Sequence, residues 1–484
     1  MDALSPSSPG TCRLAPLRMF ALLVALTLAG CHTPPSSDPK EHNPPAWHRL
    51  DVGLCEDYPE ESRTWAAAER DLALAAASGA KVLRIAFGWD AMEPAPGRYD
   101  WSFWDDVVRT AVEKHQLRLI PYVCYTPQWA ATDPGPDHWK SPPRDPALFA
   151  SFVQTLVRRY RPWIQSWELW NEPDNQAYWT GTVADFAALT RAGAAAVRRA
   201  DPTATVVLGG LAGDLDFLDT LFREEAIAPH VDVVNLHSYL ETWHPEPIEV
   251  VTREIARARD IVRTFGEDEP LWMAEVGYSP VGPRAQTSEV YRPRITQEHT
   301  AKAQADALLR FLTLVAATGE VDLFAWYRIN DLPSTEEVIG DDNNRHLGLL
   351  ARDGSTKPAL PAFVEMAKLF SGRYRVHPLD TRLPNGAVAP AVHAFLLEPE
   401  DGVPILLAWS AAEGSAPLAG PVRPPGEARS RSVIITLPKH VQPQALTSVL
   451  SGEPAEPPVQ PEHRSTGARV HLLLHASAVA AYRL

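Results

Sequence analysis

Two glutamates, Glu172 and Glu275, each close a short apolar run, in W-E-L-W-N-E-P-D (167–174) and L-W-M-A-E-V-G-Y-S (271–279). A strand that ends on an acid places it at the carboxyl end of a sheet, where α/β sheets and barrels gather their chemistry. Taken alone, N-E-P reads as a surface glutamate in a turn. The second strand-end glutamate changes that reading. Two carboxylates facing one another suit glycoside hydrolysis, in which one gives a proton to the leaving oxygen while the other attacks the anomeric carbon. Their environments must then differ, because the donor needs a raised pKa and the nucleophile must stay ionised. A neighbouring negative charge serves the first need, and cations and hydrogen-bond donors serve the second.

Other predicted strand ends supply candidate helpers. Arg84 would stand beside the nucleophile and keep it charged, and Asn171 is placed to hydrogen-bond a sugar hydroxyl next to the donor. His237 and Tyr239 close the run N-L-H-S-Y, where the tyrosine could orient the nucleophile. Trp326 could floor the site, and Trp89, just past the strand of Arg84, is a further candidate for substrate binding. Each has a plain structural explanation by itself: an arginine paired with any acid, a satisfied core histidine, a packing tryptophan. Their joint placement at the ends of strands two, four, six, seven and eight points to one site.

The elements that must position them follow from periodicity. Strand-like runs are expected at Leu50–Leu54, Val82–Phe87, Leu117–Val123, Ile164–Trp170, Thr205–Leu208, Val231–Leu236, Leu271–Ala274 and Leu323–Tyr327. Helical patterns lie between them. In Pro146 to Tyr160, Phe149, Phe152, Val153, Leu156, Val157 and Tyr160 keep the i, i+3, i+4 rhythm, with Asp145 and Pro146 as start signals. A second helix is expected from Asp185 to Ala200, before Asp201-Pro202. Eight such units predict an α/β fold, a (β/α)8 TIM barrel over residues 48–371. The two glutamates are 103 residues apart, or three units of roughly 35 residues, which suits strands four and seven. Residues 372–484 lose the helical pattern and show short strand-like runs between Gly/Pro turns, as in an antiparallel β-sandwich. Long loops after strands three, seven and eight would wall a cleft, with Trp129, Trp139, Tyr278 and Tyr291 as possible sugar platforms or loop packing.

Composition bounds the rest. The net charge of −15 argues against a nucleic-acid partner. No Cys/His spacing of the zinc type occurs, so neither a metal nor another cofactor is expected, and the acidic run 341–344 reads as a solvated loop rather than a calcium site. Residues 1–30 read as a targeting segment, with Arg13 and Arg18 before the apolar run Met19–Leu28, which is too short to span a bilayer comfortably. The run ends in Leu28-Ala29-Gly30-Cys31, which resembles the bacterial lipobox. That resemblance implies cleavage before Cys31, a diacylglycerol on its sulfur, and a lipoprotein of the bacterial cell envelope, facing the periplasm or the cell surface. Residues 31–47, rich in Pro and Ser, would be its tether. Cys55 and Cys124 allow a disulfide in an oxidising compartment, although their unrelated spacing favours buried free thiols.

The barrel residues resemble clan A of the retaining glycoside hydrolases. The matching stretches are V-L-R-I-A-F-G-W-D-A-M-E-P-A-P-G-R-Y-D-W (82–101), Y-T-P-Q-W-A (125–130), W-E-L-W-N-E-P-D, H-S-Y and M-A-E-V-G-Y-S, followed by W-Y-R-I-N-D (326–331) and H-L-G-L-L-A-R-D-G-S-T-K-P-A (346–359). Within the clan, W-E-L-W-N-E-P-D followed by Tyr178-Trp179 is most similar to family 39, the β-xylosidase and α-iduronidase family, while families 5 and 30 share W-N-E-P-like runs. The resemblance implies Glu172 as acid/base, Glu275 as nucleophile, and Arg84, Asn171, His237, Tyr239 and Trp326 as supporting residues on a carbohydrate substrate. It does not extend to the sugar or to oligomeric state. The alternative of another class is a catalytically inactive carbohydrate-binding lipoprotein of the same fold. A metal-dependent barrel hydrolase would need clustered histidines, which the sequence lacks.

Overall fold

Eight parallel strands form the barrel: β1 (Asp51–Glu56), β2 (Val82–Gly88), β3 (Arg118–Cys124), β4 (Ser166–Asn171), β5 (Thr205–Gly210), β6 (Val234–Ser238), β7 (Leu271–Val276) and β8 (Val321–Tyr327). The ladder runs β5-β4-β3-β2-β1-β8-β7-β6. The remaining seam between β5 and β6 is bridged where the Leu208 and His237 N–H groups donate to the Val233 and Leu211 carbonyls, at 2.9 and 2.7 Å. The (β/α)8 barrel read from the sequence is therefore the fold. This computed structural model describes residues 45–57, 64–244, 246–280, 300–333, 342–411, 431–438, 440–441, 447–448, 462–464, 467–474 and 478–484. Cys31, the tether up to residue 44 and Tyr291 lie outside the described residues.

The strands are apolar on both faces because both are buried. Val82, Ile120, Val207, Ala274, Leu323 and Ala325 fill the barrel interior. Alternate residues, among them Leu54, Leu83, Leu119, Leu169, Leu208 and Phe324, belong to the layer between strands and helices. Helix Pro146–Tyr160 starts where the Asp145 carboxylate accepts from the Ala147 N–H at 2.9 Å. The next helix, Val183–Ala200, begins two residues before the expected Asp185, because Thr182 and Asp185 form a reciprocal capping box.

Several strands run further than their apolar patterns. β1 continues through Cys55 and Glu56, β6 through His237 and Ser238, and β7 through Glu275 and Val276. Hydrophobic periodicity fades there because the polar residues of the mouth begin.

Beyond the barrel, two antiparallel sheets pack face to face. One contains Thr381–Arg382, Arg431–Thr436, Gly467–Leu474 and Glu462–Arg464; the other contains Thr447–Ser448, Ala480–Arg483, Ile405–Ser410, Val392–Pro399 and Tyr374–Pro378. Leu396, Leu406 and Ala408 meet Val433, Ile435 and Leu472 in the core between the sheets. With period two, Phe395, Leu397, Leu407 and Trp409 point the other way and join the core around the barrel. The five-stranded sheet is thus buried on both faces. A polar tie accompanies this packing, the Trp409 Nε1–H donating to Glu249 Oε1 at 2.7 Å. Strand Tyr374–Pro378 has no counterpart in the sequence reading, since Arg375 and His377 interrupt its apolar residues.

Candidate active site

Seven of the eight strands or their immediate ends send side chains into one buried cluster at the carboxyl end of the barrel. Its centre is Arg84 of β2, which is fully buried. Nε and Nη2 fork onto the two Glu168 carboxylate oxygens at 2.7 and 2.8 Å. Nη2 also donates to Asn171 Oδ1 at 2.8 Å, and Nη1 to Glu275 Oε2 at 2.6 Å. The Tyr122 ring lies beneath the guanidinium, 4.1 Å from Cζ to centroid. Burial opposes the Arg84 charge, but Glu168 and Glu275 outweigh it and hold the group protonated.

A local break in β4 aims the acids. Strand alternation would put Glu168 and Trp170 on one face, yet Trp170 has φ 84° and Glu172 φ 46°. Left-handed backbone is costly for such side chains, about 1–3 kcal/mol each. It turns Trp170 outward against Phe149 and Trp179, and lets Asn171 share the inward direction of Glu168. The neighbouring chain accommodates the break because it is glycine: a Cβ on Gly209 would meet the Leu169 carbonyl at 2.5 Å. One on Gly210 would meet His237 Nε2 at 2.0 Å.

Glu172 and Glu275 share His237. Its Nδ1 is 3.0 Å from Glu172 Oε1 and 3.7 Å from Glu275 Oε2. Glu172 Oε2 also accepts from Asn175 Nδ2 at 3.0 Å. The Tyr239 hydroxyl donates to Glu275 Oε1 at 2.5 Å, and the buried Cys55 thiol lies 3.9 Å from Oε2. Single oxygens of Glu172 and Glu275 and a ring nitrogen of His237 all lie within 4.8 Å of one another. The donor types suit a divalent cation, but Arg84, already 2.6 Å from Glu275, would repel one.

Burial raises the Glu172 carboxyl to about 7, against the Asn175 hydrogen bond and the more distant charge of Arg84. Burial also raises Glu275, opposed by His237 and by the direct Arg84 contact. His237 is pushed down by burial, so its ring is neutral near pH 7. Of Glu172 and Glu275, it is Glu275 that has a permanent cation at hydrogen-bond distance.

The model of the family described as Cellulase (glycosyl hydrolase family 5) matches residues 55–306, just over half the chain, including both glutamates. The chain belongs to glycosyl hydrolase family 5. Solved structures with similar folds include a family 39 glycoside hydrolase from the gut symbiont Bacteroides cellulosilyticus WH2, with 16% identity over 90% of this chain and 81% of that one and a TM-score of 0.64. A monomeric β-xylosidase from Caulobacter crescentus CB15 is 19% identical over 91% and 97% of the two chains, with a TM-score of 0.56. A family 30 subfamily 8 xylanase from Clostridium acetobutylicum is 13% identical over 91% and 97%, also with a TM-score of 0.56. At these identities the likeness is one of fold. The clan A resemblance drawn from the motifs is borne out, and the matching family model is that of family 5.

In this family 5 chain, Arg84, Asn171, Glu172, His237, Tyr239 and Glu275 are brought together. Two of the proposed residues are not. Trp326 lies one position out of phase: Ala325 and Tyr327 face the barrel interior, whereas Trp326 packs outward against Phe311, 6.5 Å between ring centroids. Trp89 is buried between Trp129, Phe149 and Phe152, with its Nε1–H on Glu93. Trp129 packs there too, donating to the Glu93 carbonyl, whereas half-buried Trp139 meets Tyr125 and Tyr178 near Glu172. Cys55 and Cys124 are both buried and are not joined in a disulfide.

Glu168, Tyr122 and Tyr327 are part of the cluster without having been singled out in the sequence. Glu168 carried a usable signal. An acid within an apolar strand must be paired when buried, and Arg84, similarly placed in β2, is its complement. The tyrosines carried none, since a strand-end tyrosine is equally at home in a core.

Proposed function

We propose that the chain is a retaining glycosidase acting on O-glycosidic bonds of an oligo- or polysaccharide by double displacement. The observation that carries this reading is the approach of Glu172 and Glu275 carboxylate oxygens to within 4.8 Å. Retention operates with carboxyls about 5–5.5 Å apart, whereas inversion needs about 6.5–9.5 Å to admit a water between base and sugar. Glu275, ionised beside Arg84, attacks the anomeric carbon as the bond to the leaving oxygen breaks. Glu172, neutral up to about pH 7, gives that oxygen its proton. In the second half, Glu172 takes a proton from water, whose oxygen attacks the anomeric carbon and releases Glu275. In the Nδ1–H tautomer His237 donates to Glu172 Oε1 whether or not the other oxygen carries the proton, which keeps Glu172 oriented through both halves.

Proton NMR of the first product formed tests this reading. Release of the anomer with the substrate's configuration is expected; initial release of the opposite anomer overturns it. Placement in the bacterial cell envelope through lipidated Cys31 belongs to the same proposal, supported by Leu28-Ala29-Gly30-Cys31. Mass spectrometry of the mature amino terminus checks it, and an unmodified terminus would refute it.

A further inference from the structure

Asp57 follows directly on Glu56, the last residue of β1, and therefore stands at the mouth with the two glutamates. It is half-buried and is held from two sides. The Tyr122 hydroxyl of β3 donates to Oδ1, and the Tyr327 hydroxyl of β8 donates to Oδ2 at 3.1 Å. Arg328 fixes this arrangement from below. It donates to the Asp57 main-chain oxygen at 3.1 Å, to the Tyr327 hydroxyl at 2.9 Å, and to the carboxylate of Glu56. The Glu56 charge thus answers Arg328, while Asp57 forms no ion pair among the described residues.

A carboxylate has about four acceptor positions, and the tyrosines occupy one on each oxygen. The field of Asp57 reaches the whole mouth, raising Glu172, Glu275 and the phenol of Tyr178. With no ion pair and with acceptor positions left over among the described residues, it suits sugar hydroxyls, which are donors. A substrate carboxylate would meet the charges of Asp57 and Glu275 at the same mouth, where the nearby Arg84 and Arg328 guanidiniums are already engaged by Glu168, Glu275 and Glu56.

We propose that Asp57 is a specificity-determining residue that accepts hydrogen bonds from two adjacent hydroxyls of a neutral sugar in the subsite beside Glu275 and excludes uronic acids from it. This rests on the glycosidase reading above and adds the class of sugar to it. A hydrogen bond from a neutral donor to a charged acceptor contributes about 1.5–3 kcal/mol, so losing one lowers binding or rate by roughly 10- to 150-fold.

The test compares wild type, Asp57→Asn and Asp57→Ala on aryl glycosides of neutral sugars, their monodeoxy analogues, and the matching uronides. Wild type should hydrolyse the neutral glycoside and leave the uronide untouched. Asp57→Ala should lose about 100-fold in kcat/KM on the parent glycoside but much less on the analogue lacking the hydroxyl that Asp57 binds. Asp57→Asn, which can still accept from one tyrosine, should keep the melting temperature and narrow the preference for neutral over uronide substrate at least tenfold. Parent and every deoxy analogue losing equally in Asp57→Ala overturns the proposal, as does wild type preferring uronides. If no glycoside turns over, the hydrolase reading fails separately. Calorimetric titration with neutral and uronic oligosaccharides then decides the Asp57 assignment, which equal binding of both would refute.

Discussion

Glu172 is buried between His237 and Asn175, and its carboxyl is raised from 4.5 to about 7. That difference corresponds to roughly 3 kcal/mol in favour of the neutral acid. The sign is that of a raised acid: the proton is held below about pH 7 and lost as pH rises through it. Proton donation to the leaving oxygen therefore fails on the alkaline side. The free enzyme should show an alkaline limb in kcat/KM with an apparent pKa near 7, belonging to the coupled pair. Replacing Glu172 by alanine removes the acid while leaving Arg84, Tyr239 and Glu275 in contact. A glycoside with a poor leaving group, such as phenol, should then lose roughly 10²- to 10⁴-fold in kcat/KM. A dinitrophenyl glycoside departs without protonation, so its kcat/KM should fall by less than about tenfold and lose the alkaline limb. Stopped-flow and steady-state kinetics from pH 4 to 9 with both substrates make the comparison. Equal losses for both leaving groups, or an alkaline limb that survives in E172A, would refute the assignment of Glu172 as proton donor.

Three further perturbations probe the scaffold. Gly210→Ala puts a Cβ 2.0 Å from His237 Nε2, so the ring must shift; kcat/KM should fall roughly 100-fold and stability by about 1–3 kcal/mol, read by kinetics and urea unfolding. Trp326→Phe changes only the layer against Phe311, so the melting temperature should drop while KM stays within about twofold; a large KM change would return Trp326 to the mouth. Trp409→Phe removes the hydrogen bond to Glu249, which with Glu241 flanks buried Arg310. It should cost about 1–2 kcal/mol, and because Glu241 lies two residues after Tyr239, kcat should fall with it; an unchanged unfolding curve would show that the sandwich contact is not stabilising.

The barrel was legible because its signals are local. Eight apolar runs of strand length, the Asp145-Pro146 helix start and the Gly/Pro turns beyond residue 371 all report backbone state within a few residues. Glu172, Glu275, Arg84, Asn171, His237 and Tyr239 were legible for a related reason: polar residues that interrupt or end buried strands must be answered by partners, and together they answer one another. Direction was not legible. Whether Trp326 or Tyr327 faces the mouth is a matter of one residue of phase in a strand buried on both sides, where both faces are apolar. The pairing of Glu168 with Arg84 spans 84 residues, and the turn at Trp170 that aligns Asn171 with it is a left-handed residue at a position where sequence alone would expect extended backbone. The chain by itself determined the eight barrel strands and the two glutamates that close the fourth and seventh. Only closure of the barrel decided which side chains share its mouth, because that depends on the register of strands far apart in sequence and on the register shifts along β7.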